Sequence, residues 1–418
     1  GSGSTTASGA STFTTIFETT LESVSASTNI VLLATSSISL SDLSDNLLNL
    51  QQGSGNSVTF TATGGTISFS SSSDTISTNG GSINFNATGN LSLGSLTSNG
   101  GDISLTGDDF SLFGTLNSGA GNINITHFNR GKIGLGGTTC TGSCNLTIST
   151  SELASMTGNK LIIGGSSNGD IYVNGITQTT STFTNGVELN VDAHVSGSNG
   201  AVIFEGSASS FSTLNSNAVN GIEVNANLTT TTGALSLDGD SDNAVDTLSA
   251  DDNITFASGI TLTSASSISL SAANGGMTTA GALTLTAPTS ITMTGAMTAT
   301  GAVAMTANSG ITLNSGISTS SDALNINANS STLSLGSGIT LSSAGALTLA
   351  AGSTTSSGNL TLTSTASTIS VNNALVSEGS VTMTANSGLT LSNSTLTGSA
   401  NVSLQGGSAL TLASGMAI

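Results

Sequence analysis

A three-residue pattern, apolar then Ser or Thr then apolar, returns along this chain at intervals close to twenty residues. In LTLTAPTSITMTGAMTATGAVAMTANSGITLNSGI, residues 283–317, Leu283, Ile291 and Met297 are answered by Val303, Ile311 and Ile317. The beat also runs through Ile83, Ile103 and Ile123. It runs again through Ile76, Leu96 and Leu116, each leading into a glycine-rich corner: STNGGSINF, TSNGGDISL, NSGAGNINI. Such triplets are period-2 signals, with the outer members facing one side and the middle residue the other. They are too short for sandwich strands, and Gly, Asn and Ser fill the gaps. One round of three short strands cannot bury its own apolar face, so it must stack on its neighbours, strand over equivalent strand in parallel. The predicted fold is therefore all-β: a single-stranded parallel β-helix (β-solenoid) with three short strands per coil of about 20 residues. With layers ~4.8 Å apart, about 20 rounds would make a rod on the order of 100 Å long.

Within one continuous solenoid, three stretches differ in regularity. Residues 1–160 carry the N-terminal coils, 161–234 less regular coils with longer loops, and 235–418 regular C-terminal coils. The segments NGDIYVNGI and NGVELNVDAHV read as strands of the middle stretch. From the LTL at Leu347 to the LTL at Leu360 is only 13 residues, which predicts a distorted coil there. Ser149, three residues before Glu152, matches a capping box for one helical turn.

Charge narrows the partners. Charged residues are 6% of the 418, against roughly 25% in ordinary soluble domains, so hydroxyls and amides must make the surface. The three basic residues, Arg130, Lys132 and Lys160, cannot neutralise a run of phosphates, which excludes nucleic acid. No run of 18 apolar residues exists, so no membrane insertion by a helix is expected. The net charge of −19 favours solubility and attracts divalent cations. The opening GSGSTTASGA has neither Met nor a basic stretch, and reads as a processed chain or an excised piece.

The rounds NIVLLATSSISL, NGGSINFNATGNLSLGSL, GALSLDGDSDNAVDTLSADDNITFASGITL and ANSGITLNSGI resemble the repeats of filamentous haemagglutinin-type, two-partner-secreted adhesins and related giant bacterial surface proteins. The resemblance spans nearly the whole chain. It implies a right-handed β-helix, secreted or held at the cell surface, serving adhesion or an extracellular fibre. The Asn-Pro-Asn signatures of that family's secretion module are absent, the only proline being Pro288.

Few residues carry chemistry. Glycoside hydrolysis needs two carboxylates facing each other across a groove, whereas Asp108-Asp109 and Asp251-Asp252 are sequence neighbours that would face apart. Arg130 and Lys132 in HFNRGKIG are the only basic cluster, read more simply as a loop ion pair or solvated groups than as lyase machinery. In LDGDSDNAVDTLSADD, the alternation of Asp238, Asp240 and Asp242 followed by Asp246 is like the start of a calcium loop. It departs from that pattern at Asn243 and Ser249, and the alternative is an acidic solvated loop. Cys140 and Cys144 are a candidate disulfide closing a small loop, since His127 and His194 are too isolated to complete a zinc site. Tyr172, Phe183, Phe204 and Phe211 could stack on sugars, although Phe in a β-helix more often stacks inside.

The expected function is a non-enzymatic, secreted structural protein that needs no cofactor, with calcium as the candidate ion. Its expected partners are copies of itself end to end, or a longer native chain. The alternative is an adhesin binding glycans or a host surface through its hydroxyl-rich flank.

Overall fold

The computed structural model describes residues 14–137, 140, 143–166, 168–177, 182–192, 200–244, 252–392 and 395–416. The chain divides into two compact units, Gly1–Val202 with Ser210–Ser212, and Ile203–Ser209 with Thr213–Ile418. Each is a parallel β-helix.

In the first unit, strands Ile30–Ala34, Ser57–Ala62, Ser82–Ala87, Ile103–Gly107, Ile123–His127, Leu161–Gly165 and Val187–Val191 lie in that order in one parallel sheet. A second face stacks Ile38–Leu40, Ile67–Phe69, Leu91–Leu93 and Phe110–Leu112. A third stacks Leu47–Gly53, Thr75–Asn79, Ser95–Thr97, Leu116–Asn117 and Met156–Thr157. Val58, Ile83, Ile103 and Ile123 are direct register partners, as are Ile76, Leu96 and Leu116. Leu91 pairs with Phe110, and Leu112 with Leu93.

The twenty-residue beat holds in the second unit too. Leu283, Val303, Leu324 and Leu347 form one column. Ile291 lies over Ile311, and Met297 over Ile317. The short interval after Leu347 is not a distorted coil. Leu347 belongs to the face of Leu324 and Ile369, while Leu360 belongs to the face of Ile339 and Val381. Thirteen residues is the path from one face to the next, and the coil keeps its length.

Alternation within each strand builds the core. The pattern buried, half-buried, buried recurs in Ile123–His127, Val303–Ala307, Leu360–Ser364 and Val381–Ala385. Ile291, Val303, Leu313, Leu347 and Val381 are fully buried, each such side chain stabilising by about 1.5–3 kcal/mol. Phe60 and Phe85 stack with ring centroids 4.7 Å apart. Outside, side chains of successive coils bond to one another. Asn84 donates to Thr59 at 3.3 Å, Asn124 to Ser104 at 3.3 Å, and Asn314 to Thr294 at 3.1 Å.

Among the described residues two short helices occur. Helix α1, Glu18–Glu22, lies beside Leu47–Gly53, and the Glu22 carboxylate accepts the Asn49 amide at 2.8 Å. Helix α2, Thr150–Ala154, starts with the capping box expected at Ser149 and Glu152. The other Glu152 oxygen accepts the Leu112 amide at 3.1 Å, so one carboxylate caps a helix and closes the end of a strand stack.

The corner NGG and GAG sequences use their glycines in two ways. Gly80, Gly100 and Gly119 have φ of 95°, 119° and 61°, where a Cβ is disfavoured. Gly81, Gly101 and Gly121 form a column in which each α-carbon abuts the backbone one coil below; a Cβ on Gly101 would fall 2.5 Å from the Gly81 carbonyl carbon. Gly101→Ala is expected to lower stability by about 1–3 kcal/mol through overpacking, measured by denaturant unfolding. Ser104→Ala, on an outward half-buried position, should change it by less than about 0.5 kcal/mol.

Candidate functional site

Polar residues that could do chemistry fall into two places, one in each unit. In the first, the irregular insertion 128–155 gathers most of the chain's unusual side chains. His127 ends strand Ile123–His127 and is buried. Its Nδ1 accepts two backbone N–H groups, Asn129 at 3.0 Å and Gly131 at 2.8 Å. That leaves Nε2 as the protonated nitrogen, donating to Asp108 Oδ1 at 3.1 Å. Both ring nitrogens are thus committed to holding the turn that carries Arg130 at a positive φ of 56°. Asp109 turns the other way and accepts from the Thr147 amide at 3.0 Å. The two neighbouring carboxylates diverge, as their adjacency in sequence predicted.

Lys132 reaches strand Ile171–Asn174, donating to the Tyr172 hydroxyl at 3.1 Å and lying 3.4 Å from Asp170. Its ammonium also sits 5.2 Å from the Tyr172 ring centroid, a cation–π distance. The Tyr172 hydroxyl and, more weakly, the Asp170 carboxylate hold the Lys132 pKa above the ordinary lysine range, against the opposing effect of partial burial. Lys160 pairs with Glu188 at 2.7 Å. Two of the three basic residues are therefore bound to carboxylates.

Cys140 and Cys144 are joined in a disulfide with Cα atoms 5.7 Å apart. It packs on strand Ile133–Gly136 at Gly134, where a Cβ would meet both sulfurs. This strand pairs in parallel with Leu146–Ser149, so the disulfide braces the loop between two strands of one stack.

The second place is the corner after strand Leu235–Asp238. Asp240 is wholly buried, and its Oδ2 accepts the Asn274 amide at 2.7 Å. Asp238 is half-buried and accepts the Asp240 amide at 3.2 Å. Burial raises its pKa, an effect partly offset by that hydrogen bond. Asp242 accepts the Ala244 amide at 3.1 Å. Asp252 is buried. Asp246, Ser249, Asp251 and His194 lie outside the described residues. Among the described residues no three His, Cys, Asp or Glu side chains converge as a metal site.

Of the four aromatic residues singled out for sugar stacking, the three Phe are core residues and Tyr172 is half-buried. Phe183, Phe204 and Phe211 are fully buried, and Tyr172 has its ring face against Lys132.

One class of polar residue went unread in the sequence: inward-facing hydroxyls at strand ends. Thr78 and Ser118 donate to the carbonyls of Gly81 and Gly121 at 2.5 and 2.7 Å, and Ser98 does the same to Gly101. Thr230, Thr279, Ser343 and Ser356 repeat the device at Gly233, Gly281, Gly345 and Gly358. Their signal was available: Ser or Thr two or three residues before a corner Gly, at the place where an apolar residue would continue the alternation.

Compared with known protein families, curated proteins and solved structures, the chain matches none.

Two outcomes test this geometry. His127→Phe should cost about 1–3 kcal/mol, because the buried Gly131 N–H and the Asn129 N–H both lose their acceptor, read as a lower unfolding midpoint. The raised Lys132 pKa gives stability that is fully present below the unfolded-state lysine pKa and is lost as pH rises through the folded value. The difference in melting temperature between the parent and Lys132→Met should therefore hold at neutral pH and shrink above about pH 10.

Proposed function

We propose that the chain is a non-enzymatic structural protein: a β-helical shaft segment or protomer of a secreted fibre or surface filament, of the filamentous haemagglutinin type. The observation that carries this reading is the coil-on-coil register of the second unit. On all three faces it runs unbroken from Leu214–Ala218, Ile222–Val224 and Leu228–Thr230 to Leu396–Gly398, Val402–Gly406 and Ala409–Leu412. Force along the stack would be shared among rows of parallel main-chain hydrogen bonds rather than falling on one contact.

Other features support the same role. The Cys140–Cys144 disulfide suits an oxidising, extracellular setting. Lys132 and Lys160 are engaged in ion pairs that hold strands together, which is structural work. Uncharged hydroxyl and amide side chains make the flanks. The glycan-binding alternative gains no support from the middle stretch, where the three Phe side chains are inside.

The reading extends to assembly. Strand Ala409–Leu412 pairs with Gly388–Leu391 on one side. Leu410 and Leu412, in the columns of buried Leu389 and Leu391, are 48% and 41% exposed. A further coil, from another copy or from more of the same chain, would bury them and pair the open edge.

Negative-stain microscopy of the purified chain tests the self-stacking form, with filaments much longer than one chain as the expected image. Leu410→Glu combined with Leu412→Glu should shorten or abolish them while leaving the β-sheet circular dichroism intact. Discrete single particles at every protein concentration would count against stacking of copies.

A further inference from the structure

The second unit contains a buried carboxylate for which its own sequence offers no basic side chain. The chain's three Lys and Arg residues are at 130, 132 and 160, and its two His at 127 and 194, so no basic side chain exists beyond residue 194. Yet Asp240 is 0% exposed. Burying a carboxylate without a cationic or hydrogen-bonding partner is costly enough that it is paired, protonated or bound to a metal. Asp240 Oδ2 has the Asn274 amide, but Oδ1 is buried with no hydrogen-bond partner among the described residues.

The register brings three coils to this spot. Ile222 pairs with Ile254 and Ile254 with Met277. Asn220, Asp252 and Gly275, each two residues before those strand positions, therefore stack at one corner. Asp240 is tied to the same corner from the adjoining face. Ser241 donates to the Ala218 carbonyl at 3.1 Å. A Cβ on Gly239 would lie 2.9 Å from the Asn253 carbonyl oxygen, and one on Gly275 would strike the Asp252 carbonyl. The Asn220 side-chain oxygen is likewise buried without a partner. The corner thus collects oxygen acceptors, two of them unpartnered, and no positive charge.

We propose that this corner binds one calcium ion through Asp240 Oδ1, the Asp252 carboxylate and the Asn220 side-chain oxygen. Calcium fits this donor set because it takes carboxylate, amide and main-chain oxygens in flexible, irregular geometry, whereas magnesium demands a near-ideal octahedron and keeps its water. The assignment differs from a linear Asp238-Asp240-Asp242 loop. Only Asp240 of those three points its charge into the interior, while Asp242 serves the Ala244 amide. The glycines are part of the site's construction, since Gly239 and Gly275 allow the three backbones to approach.

The test is calorimetric titration of calcium chloride into the intact, chelator-stripped chain, with thermal unfolding followed in parallel. The expected result is a single site with a dissociation constant on the order of 10⁻⁴–10⁻³ M, the range of extracellular calcium modules. A rise in melting temperature that a chelator reverses should accompany it. Asp240→Asn and Asp252→Asn should each weaken binding by about tenfold or more, whereas Asp242→Asn and Glu223→Gln, acidic residues of the same coils outside the proposed donor set, should not. Should Asp240→Asn fail to fold, Asn220→Leu replaces it as the ligand-removing variant, with the same loss expected. Absence of heat and of any thermal shift at millimolar calcium would overturn the proposal. So would equal weakening by the two outside variants, which would show diffuse attraction to negative charge. An Asp240→Asn chain more stable than the parent, with no calcium response in either, would overturn it as well.

Discussion

In-register parallel pairing of each coil with the next is the constraint on which everything else in this protein rests. Because the main chain of one coil must meet the main chain of its neighbours at about 4.8 Å, every side chain occupies a column. Each column then admits only what its neighbours above and below tolerate. Inside, that condition selects Ile, Leu, Val and Met of similar length, as in Leu283, Val303, Leu324 and Leu347. At the Gly81, Gly101 and Gly121 corner it selects glycine, because backbone stands where a Cβ would go. Outside, it favours Thr, Ser and Asn, whose short polar groups bond to the same residue types one coil away, as Thr106 and Thr126 do at 2.9 Å. The low-complexity composition is the consequence of a rule applied coil after coil.

The fold was legible in the sequence to the extent that the columns repeat. The partners of Ile83, Ile103 and Ile123 could be assigned from spacing alone, and the structure pairs them. Reading failed where two faces share one motif. The LTL at Leu347 and the LTL at Leu360 are identical in sequence but lie on different faces, so their 13-residue separation read as a distorted coil. A period-2 triplet states which way its residues point and says nothing of which sheet it belongs to. The inward hydroxyls were missed for a related reason. Ser and Thr are ordinarily solvent-facing, and only the nearby corner carbonyl makes burial of Thr78 or Ser118 affordable.

The candidate sites were legible in kind but not in detail. The acidic run 238–246 was visible as a concentration of charge in a chain with little of it. Which carboxylates turn inward was not visible, because that depends on which corner residues the register stacks, as it does Asn220 and Asp252, 32 positions apart. The Lys132, Asp170 and Tyr172 grouping has the same origin. In a solenoid, neighbours in space are one coil apart in sequence, and an irregular insertion changes that distance unpredictably. The opposite holds for Cys140 and Cys144, whose closeness in sequence made their pairing a candidate from the start.

Charge is distributed along the chain with a physical effect of its own. All three Lys and Arg residues fall between 130 and 160, and Lys132 and Lys160 brace strands against neighbouring carboxylates. Past that stretch the chain is acidic or neutral, and Glu378 is the last ionisable side chain in the sequence. A stack of coils with like charges in register would repel at every 4.8 Å step, so a column of hydroxyls is the cheaper solution for a surface that must repeat. Inward carboxylates are correspondingly few, and Asp74 and Asp240 are met by backbone amides rather than by a basic side chain. Charge therefore enters this architecture at its irregular corners, where a column is already interrupted, and it is there that chemistry beyond stacking has room to occur.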